Sequence, residues 1–291
     1  MALAFQDHTD QGGTPVPLRL LLALGLLLVA SAPAAAESPV VILSTTTSTQ
    51  DSGLLDVLVP MFEERTGLTV KTIAVGTGQA LALAARGEAD VTLAHAPALE
   101  KQYVADGRLL NRRLVMYNDF VVLGPGADPA GIRGARRAAE AFRRIATARA
   151  RFVSRGDKSG THTRELALWT AAGLTPASPW YIESGQGMGA TLGIAADRRA
   201  YTLADRATYL AFTRRVALKI LVEGDPRLRN IYSVMEVNPA NGPRVNAAGG
   251  RRFAAFMLAP ETQRLIGAFG VDTYGQALFV PIAGKTDEDF K

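Results

Sequence analysis

Four segments rich in hydroxyl side chains and glycine are places where this sequence could bind an anion. Ser44–Thr49 is an unbroken run of serine and threonine, and shorter segments are Gly76-Thr77-Gly78, Ser159-Gly160-Thr161 and Gly185–Gly189. Each is predicted to follow a strand and to open a helix. Hydroxyls and free backbone N–H groups at such junctions donate hydrogen bonds to anions. A plain capping loop is the alternative for any one segment, but their recurrence favours anion binding.

Arg155 is the cation placed among these segments. A guanidinium surrounded by neutral donors suits a tetrahedral oxyanion, since each charge-assisted hydrogen bond contributes roughly 1.5–3 kcal/mol. We expect Arg155 to be the sole formal countercharge to a bound dianion; an ordinary surface arginine is the alternative. The sequence contains no Gly-x-x-x-x-Gly-Lys-[Ser/Thr] motif, so a nucleotide-binding P-loop is not supported.

A hydrolase is the catalytic alternative, because Ser159, His162 and Glu165 lie close together in the sequence. Catalytic triads are normally assembled from separate segments, and no Gly-x-Ser-x-Gly motif surrounds Ser159. The sequence has no cysteine and only three histidines, which excludes thiolate chemistry and disfavours a multi-histidine metal site. We therefore predict no catalytic residue, no cofactor and no site for a metal cation.

Alternating strand and helix patterns must position these residues, and they predict a parallel α/β sheet. The expected strands are 39–43, 69–75, 90–93 and 151–153, and helices are expected to begin near residues 54, 79, 99 and 162. Pro60 is expected to kink the first helix or to end it early. Ligands of such sheets bind where strand ends meet helix starts, which is where the candidate segments lie.

Two long extended segments, 114–123 and 231–237, are predicted to cross between two α/β lobes. The length of 291 residues agrees with about two domains at ~150 residues each. Two crossings describe a hinged clamshell. We predict lobe I from residues 37–122 and 234–291, and lobe II from residues 123–233.

The N-terminal segment 1–36 has the features of a secretory signal peptide. Arg19 precedes the apolar run Leu20–Ala30, and the small residues Ala34–Ala36 form an A-x-A cleavage site. The run is shorter than the ~20 residues that span a bilayer, although a short transmembrane anchor remains the alternative. Cleavage after Ala36 predicts a periplasmic protein that begins at Glu37 and has no cysteine for a lipid anchor.

The formal net charge is +5, and much of the positive charge falls in segment 129–151. The segment contains Arg133, Arg136, Arg137, Arg143, Arg144, Arg149 and Arg151, and the spacing of the first five predicts that they lie on one face of a helix. Nucleic-acid or membrane binding is one interpretation, and the solvated face of a packed helix is the other. Export makes nucleic acid improbable, so we predict a solvated face.

Two sequence blocks carry a resemblance to a known family. They are Thr45-Thr46-Thr47-Ser48 and Ser154-Arg155-Gly156-Asp157, the latter followed by Ser159-Gly160-Thr161-His162. Together they are specific, and further matches extend through nearly all of the chain after residue 36. On these motifs the sequence resembles the periplasmic tungstate-binding proteins of ABC importers, a branch of the type II periplasmic binding-protein fold.

The resemblance implies a monomeric two-lobed clamshell, each lobe a mixed sheet flanked by helices, that delivers an oxyanion to a permease and its ATPase. The expected ligand is tungstate, with molybdate bound similarly or less well; a sensor that signals anion supply is a less favoured alternative. His95 and His162 are expected to hold loops together rather than to touch the anion. The predicted anion-binding residues are Thr45, Thr46, Thr47, Ser48, Thr77, Arg155, Ser159, Gly160, Thr161, Gly187, Met188 and Gly189.

Overall fold

The computed structural model describes residues 39–290, so the predicted leader and its cleavage site lie outside the described residues. The strands are β1 (Val40–Thr46), β2 (Thr69–Val75), β3 (Val91–Ala94), β4 (Leu109–Gly124), β5 (Phe152–Ser154), β6 (Tyr181–Glu183), β7 (Thr202–Asp205), β8 (Lys219–Val222), β9 (Arg229–Val237) and β10 (Val280–Pro281). The helices are α1 (Thr47–Asp51), α2 (Leu55–Thr66), α3 (Thr77–Ala85), α4 (Pro97–Ala105), α5 (Ala138–Thr147), α6 (Gly160–Ala171), α7 (Met188–Asp197), α8 (Arg206–Phe212), α9 (Ala247–Leu258), α10 (Pro260–Ala268) and α11 (Val271–Tyr274). In this part of the chain no helix is both long and apolar enough to cross a membrane.

The main sheet is mixed. Its strand order is β10-β4-β9-β3-β1-β2, and β7 and β8 also pair with β4. β1 runs parallel to β2 and to β3, whereas β9 is antiparallel to both β3 and β4. The strand–helix alternation therefore predicted the parallel part correctly and missed the antiparallel strands. The mixed sheet agrees with the fold that the family resemblance implied.

The two predicted crossovers lie side by side in the sheet. β4 pairs with β9 as far as Asp119, and from Phe120 onward it pairs with β7 and β8. One hydrophobic cluster packs around Leu43 and Phe62, and a separate cluster packs around Phe142 and Trp169. β4 thus pairs with different strands along its two halves, which is compatible with two lobes. The lobe boundaries remain a prediction.

Two local features of the first helices differ from expectation. β1 continues to Thr46 instead of ending at Leu43, because its last three residues pair with Ile73–Val75 of β2. The predicted early end at Pro60 was wrong, since α2 continues to Thr66. Pro60 lacks the N–H that would donate to the Asp56 carbonyl, so α2 continues without that one backbone hydrogen bond. Gly67, with a φ of 69°, then ends α2 in the left-handed conformation.

The basic segment 129–151 is not one helix. Only Ala138–Thr147 is helical, and the preceding loop contains Gly131 and Gly134 at φ values of 61° and 75°. Arginines of this segment bond to loop carbonyls: Arg143 Nε donates to the Ala172 oxygen at 3.0 Å and Arg144 Nη1 to the Gly131 oxygen at 2.7 Å. The prediction of a single helical face was wrong, and these two arginines stabilise the protein's own loops.

Candidate functional site

The hydroxyl run at the end of β1 contains side chains with different roles. The Thr45 hydroxyl donates to the Leu93 carbonyl on β3 at 2.8 Å, so its proton stabilises the sheet. Thr46 caps α1, because its Oγ1 accepts the Thr49 N–H at 3.2 Å. Thr46 Oγ1 also lies 3.1 Å from Ser48 Oγ and 2.7 Å from Thr49 Oγ1. The Thr45 hydroxyl proton is thus used within the sheet, and the predicted anion contact of Thr45 stays a prediction. The hydroxyls of Thr46, Ser48 and Thr49 form one buried cluster.

His95 follows β3 and contacts this hydroxyl cluster. Its Nε2 lies 3.0 Å from Ser48 Oγ and 3.1 Å from Thr46 Oγ1. Burial lowers the pKa of His95 to about 4, so the imidazole is neutral near pH 7. His162 makes a different contact, since its Nδ1 accepts the Lys158 N–H at 3.0 Å. His162 thus stabilises its own turn, whereas His95 connects separate segments, and the hydroxyl partners of His95 were not identified from the sequence.

Arg155 directly follows β5, and its side chain is only 1% exposed. Its Nη2 donates to Thr47 Oγ1 at 3.0 Å and to the Asp157 carboxylate, and its Nε donates to the Gln186 carbonyl at 3.3 Å. Its Nη1 is buried and has no hydrogen-bond partner. An unmet buried donor costs about 1–3 kcal/mol, so this nitrogen is suited to an acceptor that a ligand supplies.

Asp157 is an ion-pair partner of Arg155 that the sequence analysis missed. Gly156 has a φ of 62°, and a Cβ there would come within 2.7 Å of Glu183 Cβ, so glycine is required in the turn that returns Asp157 toward Arg155. Asp157 Oδ1 also accepts the Ser159 N–H at 3.1 Å. Asp157 therefore offsets part of the Arg155 charge, and the role of Arg155 as the sole formal countercharge to a bound dianion stays a prediction. The Arg-Gly-Asp spacing contained the signal, because it places a carboxylate two residues after the guanidinium.

The first residues of α3 and α6 contact each other. The Gly160 N–H donates to Thr77 Oγ1 at 2.9 Å. Ser159 caps α6, because its Oγ accepts the His162 N–H at 3.2 Å. Thr161 Oγ1 is buried and has no hydrogen-bond partner. Among the predicted donors of this segment, the Thr161 hydroxyl is unmet and the Gly160 N–H is already bonded within the protein.

The start of α7 lies close to the hydroxyl run. A Cβ on Gly187 would lie 3.5 Å from Thr47 Cβ, which shows how closely the two backbones approach. The Gly189 N–H donates to Asp51 Oδ2 at 3.2 Å, so this predicted donor is used within the protein. The Met188 side chain is buried in a hydrophobic cluster with Leu192. Gly187 thus fits the predicted site better than the two residues that follow it.

Buried carboxylates balance the charge of Arg155. Burial raises the pKa of Asp51, and it raises the pKa of Asp205 to about 6, in both cases against the opposing effect of Arg155. Asp205 accepts hydrogen bonds from the N–H and hydroxyl of Thr208, whose Oγ1 is 3.1 Å from the Ser48 carbonyl oxygen. Because acidic side chains lie near Arg155, individual donors, and not an excess of positive charge, must select an anion here.

The hydrolase triad is not assembled. Ser159 Oγ accepts from the backbone of His162, while the His162 ring accepts from Lys158. Glu165 Oε1 accepts from Trp169 Nε1 at 3.0 Å and from the Tyr181 hydroxyl at 2.8 Å. Across residues 39–290 no cluster of three histidine or carboxylate side chains is arranged to hold a metal ion. Ser159, His162 and Glu165 therefore form separate local hydrogen bonds and not a connected triad.

Comparison with known proteins identifies the family of this chain. The family model for the PBP superfamily domain matches residues 33–261. The chain belongs to the PBP superfamily. This assignment agrees with the mixed α/β sheet and its flanking helices.

Close relatives within the PBP superfamily are named for tungstate. A tungstate-binding protein TupA from Peptoclostridium acidaminophilum is 47% identical over 247 residues, which is 84% of this chain and 86% of that protein. The structure described as the tungstate ABC transporter from Geobacter sulfurreducens shows 51% identity and a TM-score of 0.73, and covers 79% of this chain and 98% of its own. The tungstate-binding protein TupA from Desulfovibrio alaskensis G20 shows 45% identity and a TM-score of 0.69, with 84% and 99% covered. The chain is therefore a member of the same family as these binding proteins.

Proposed function

We propose that this protein is the substrate-binding component of an ABC importer and that its ligand is tungstate. One observation carries the proposal. Arg155 Nη1 and Thr161 Oγ1 are both buried without hydrogen-bond partners, and both were predicted from the sequence to bind an oxyanion. The names of the relatives at 47% and 51% identity support tungstate as that oxyanion.

Tungstate is a dianion that only accepts hydrogen bonds, and the donors in this cluster match it. Hydroxyls of Thr46, Ser48 and Thr161 supply neutral donors, and Arg155 Nη1 supplies a charged one. Smaller anions such as sulfate and phosphate would leave some of these donors unmet, at about 1–3 kcal/mol each. Molybdate has nearly the same size and charge as tungstate, so a molybdate receptor is the alternative ligand assignment.

We also propose that the anion is captured between lobe I (residues 37–122 and 234–291) and lobe II (residues 123–233). Hydrogen bonds from Arg155 to Thr47 and from Gly160 to Thr77 join the two proposed lobes. Contacts of a bound anion with both lobes would favour the closed arrangement, because a ligand shifts an equilibrium only through differential contacts. Small-angle scattering should show a more compact particle with saturating tungstate, and identical dimensions would contradict closure.

The proposed setting is the periplasm, where a monomeric receptor would meet its permease and ATPase. Segment 1–36 is the proposed signal peptide that directs export. Mass spectrometry of the exported protein should place its N-terminus near Glu37. Retention of the apolar run Leu20–Ala30 would instead support a membrane anchor.

Calorimetric titration of the purified protein tests the ligand assignment. Tungstate and molybdate should bind with similar affinity or with tungstate ahead, and sulfate and phosphate should bind much more weakly. Failure of tungstate to bind would overturn the proposal. Turnover of a chromogenic ester that is lost in Ser159→Ala would support the hydrolase instead.

A further inference from the structure

The His95 imidazole joins the hydroxyl cluster to a second polar group that the proposed function does not use. Its Nε2 faces the hydroxyls of Thr46 and Ser48, and its Nδ1 lies 2.9 Å from the Asn230 carboxamide oxygen. A neutral imidazole has one ring proton, so one nitrogen donates and the other accepts. The position of that proton decides whether Nε2 donates a hydrogen bond to the hydroxyls or accepts one from them.

Asn230 is in turn held by Asn118 and Tyr232. Asn230 Nδ2 donates to Asn118 Oδ1 at 2.9 Å and lies 3.2 Å from the Tyr232 hydroxyl oxygen. With this orientation of the two carboxamides, Asn118 Nδ2 is buried and has no hydrogen-bond partner. The two ends of a carboxamide are distinguished by their hydrogen-bond partners, and a buried unpaired N–H is rare. The orphaned nitrogen therefore argues for the opposite orientation.

Rotating both carboxamides by half a turn keeps the same distances and improves the pairing. Asn118 Nδ2 and the Tyr232 hydroxyl then both donate to Asn230 Oδ1, and Asn230 Nδ2 donates to His95 Nδ1. An unpaired carbonyl oxygen is tolerated more readily than an unpaired N–H group, so the oxygen end of Asn118 suits the position that its nitrogen leaves. In this arrangement His95 must carry its proton on Nε2.

We propose that Asn230 is a positioning residue of the anion site, which fixes His95 in the Nε2–H form. The imidazole then donates to the oxygen atoms of Ser48 and Thr46, and their hydroxyl protons remain available to the anion. With the proton on Nδ1, Nε2 would accept a hydrogen bond from the hydroxyl of Thr46 or Ser48. That hydroxyl could then offer only an oxygen lone pair to the dianion, which repels it. The proposal rests on the proposed function, because it assigns the hydroxyls a bound oxyanion.

Nitrogen-15 NMR of the imidazole rings reads this proton directly in the wild-type protein with tungstate bound. The chain has three histidines, His8, His95 and His162. His8 lies in the proposed signal peptide and is absent from a protein that begins at Glu37, so the variant His162→Gln is enough to assign the two remaining rings. The expected spectrum shows His95 with a protonated Nε2 and an unprotonated Nδ1. A protonated Nδ1 would overturn the proposal without any need for a variant at Asn230.

Asn230→Asp supplies the functional test. A carboxylate can only accept, so it should draw the His95 proton to Nδ1 and weaken tungstate binding by about 10- to 100-fold, the effect of one lost hydrogen bond to a charged group. Asn238→Asp adds the same charge outside the cluster, where the Asn238 side chain donates to the Gly107 carbonyl, and should leave affinity unchanged. Wild-type affinity in Asn230→Asp, with the proton still on Nε2, would overturn the inference. Failure of the wild type to bind tungstate would instead overturn the proposed function.

Discussion

Arg155 and Arg206 both form ion pairs, but they differ in how completely their donors are used. Arg206 Nε and Nη2 bind the two carboxylate oxygens of Asp119 at 2.7 and 2.6 Å, and Nη2 also binds Glu223 at 2.6 Å. These carboxylates raise the pKa of Arg206. Arg155 is more deeply buried, pairs with Asp157 alone and retains an unmet Nη1.

The difference separates a structural arginine from a binding one. A bidentate pair with a second carboxylate satisfies the guanidinium and fixes β4 against the start of α8. A buried guanidinium with one unused nitrogen carries a cost that an acceptor supplied by a ligand would remove. The same distinction applies to hydroxyls, since Thr45 donates to a carbonyl while Thr161 does not. Unmet donors also occur elsewhere, as at Arg112 Nη2 and Thr262 Oγ1, so the candidate site is marked by unmet donors that lie in the predicted anion-binding segments.

Replacement of Arg155 should produce the largest change. Arg155→Ala removes a charged donor from a desolvated site, which typically costs about 2–5 kcal/mol, or roughly 30- to several-thousand-fold in affinity. Arg155→Lys keeps the charge but loses the planar fork, so its loss should be smaller. Calorimetry with tungstate measures both.

Arg206→Ala is the matched control for this comparison. It should lower stability by about 1–2 kcal/mol, because Asp119 loses its partner, and should leave tungstate affinity within about threefold of the wild type. If Arg155→Ala bound as tightly as the wild type while Arg206→Ala did not, the placement of the site would be wrong.

Glu165 is a buried acid whose hydrogen-bond partners, Trp169 and Tyr181, are neutral. It therefore extends the comparison of satisfied and unsatisfied charged groups from arginines to carboxylates. Burial raises the pKa of Glu165 from 4.5 to about 7. The folded state therefore holds this proton more tightly than the unfolded state, so the contribution of Glu165 to stability is greatest below about pH 4.5 and falls as the pH rises to about 7. At ~1.4 kcal/mol per unit of pKa, the loss is about 3 kcal/mol.

Glu165→Gln removes this titration. Urea unfolding between pH 5 and pH 8 should show the free energy of unfolding of the wild type declining relative to that of the variant. Taking the difference cancels other titrating groups, including His95, whose lowered pKa acts in the opposite direction. Parallel curves would show that Glu165 titrates normally in the folded protein.

Thr161→Val tests whether an unmet hydroxyl marks the site. Valine keeps the shape and removes the donor, so tungstate affinity should fall by about 10- to 100-fold. Thr202→Val is the matched control, since the Thr202 hydroxyl donates to the Val153 carbonyl at 2.8 Å. Thr45→Val should behave like Thr202→Val, with lower stability and unchanged affinity. A large affinity loss in Thr45→Val would restore the role that the sequence predicted for it.

The sequence predicted the segments of the site better than the individual atoms. Hydroxyl and glycine patterns predicted the strand–helix junctions that hold Thr46, Thr77, Arg155 and Thr161, because local composition and periodicity determine where helices begin. Their anion contacts stay a prediction. Whether a hydroxyl is already bonded depends on long-range pairing, as when β3 brings the Leu93 carbonyl to Thr45. No local pattern contains that information.

Long-range packing also explains what was missed in the fold and in the cluster. His95 and Asn230 are separated by 135 residues and meet only because β3 and β9 pair in the sheet. The antiparallel strands were missed for the same reason, since alternation along the chain does not reveal strand direction. The basic segment was mistaken for one helix because Gly131 and Gly134, which interrupt it, adopt left-handed conformations.

The smallest effect is expected for the double variant Arg136→Ala and Arg137→Ala. Both side chains are exposed, and neither belongs to the cluster around Arg155. Exposed substitutions of this kind usually change stability by less than about 0.5 kcal/mol. At physiological salt, charges farther than about 8 Å from the anion are largely screened, so tungstate affinity should stay within about twofold.

Lower salt makes this variant informative. The substitutions reduce the net charge from +5 to +3, that is, by two units, and weaken long-range attraction of a dianion. Stopped-flow measurements should therefore show slower association at low ionic strength, with the difference vanishing as salt is added, while the dissociation rate stays unchanged. A faster dissociation rate would mean that segment 129–151 contacts the bound anion, and the contrast between satisfied and unmet donors would no longer be enough to locate the site.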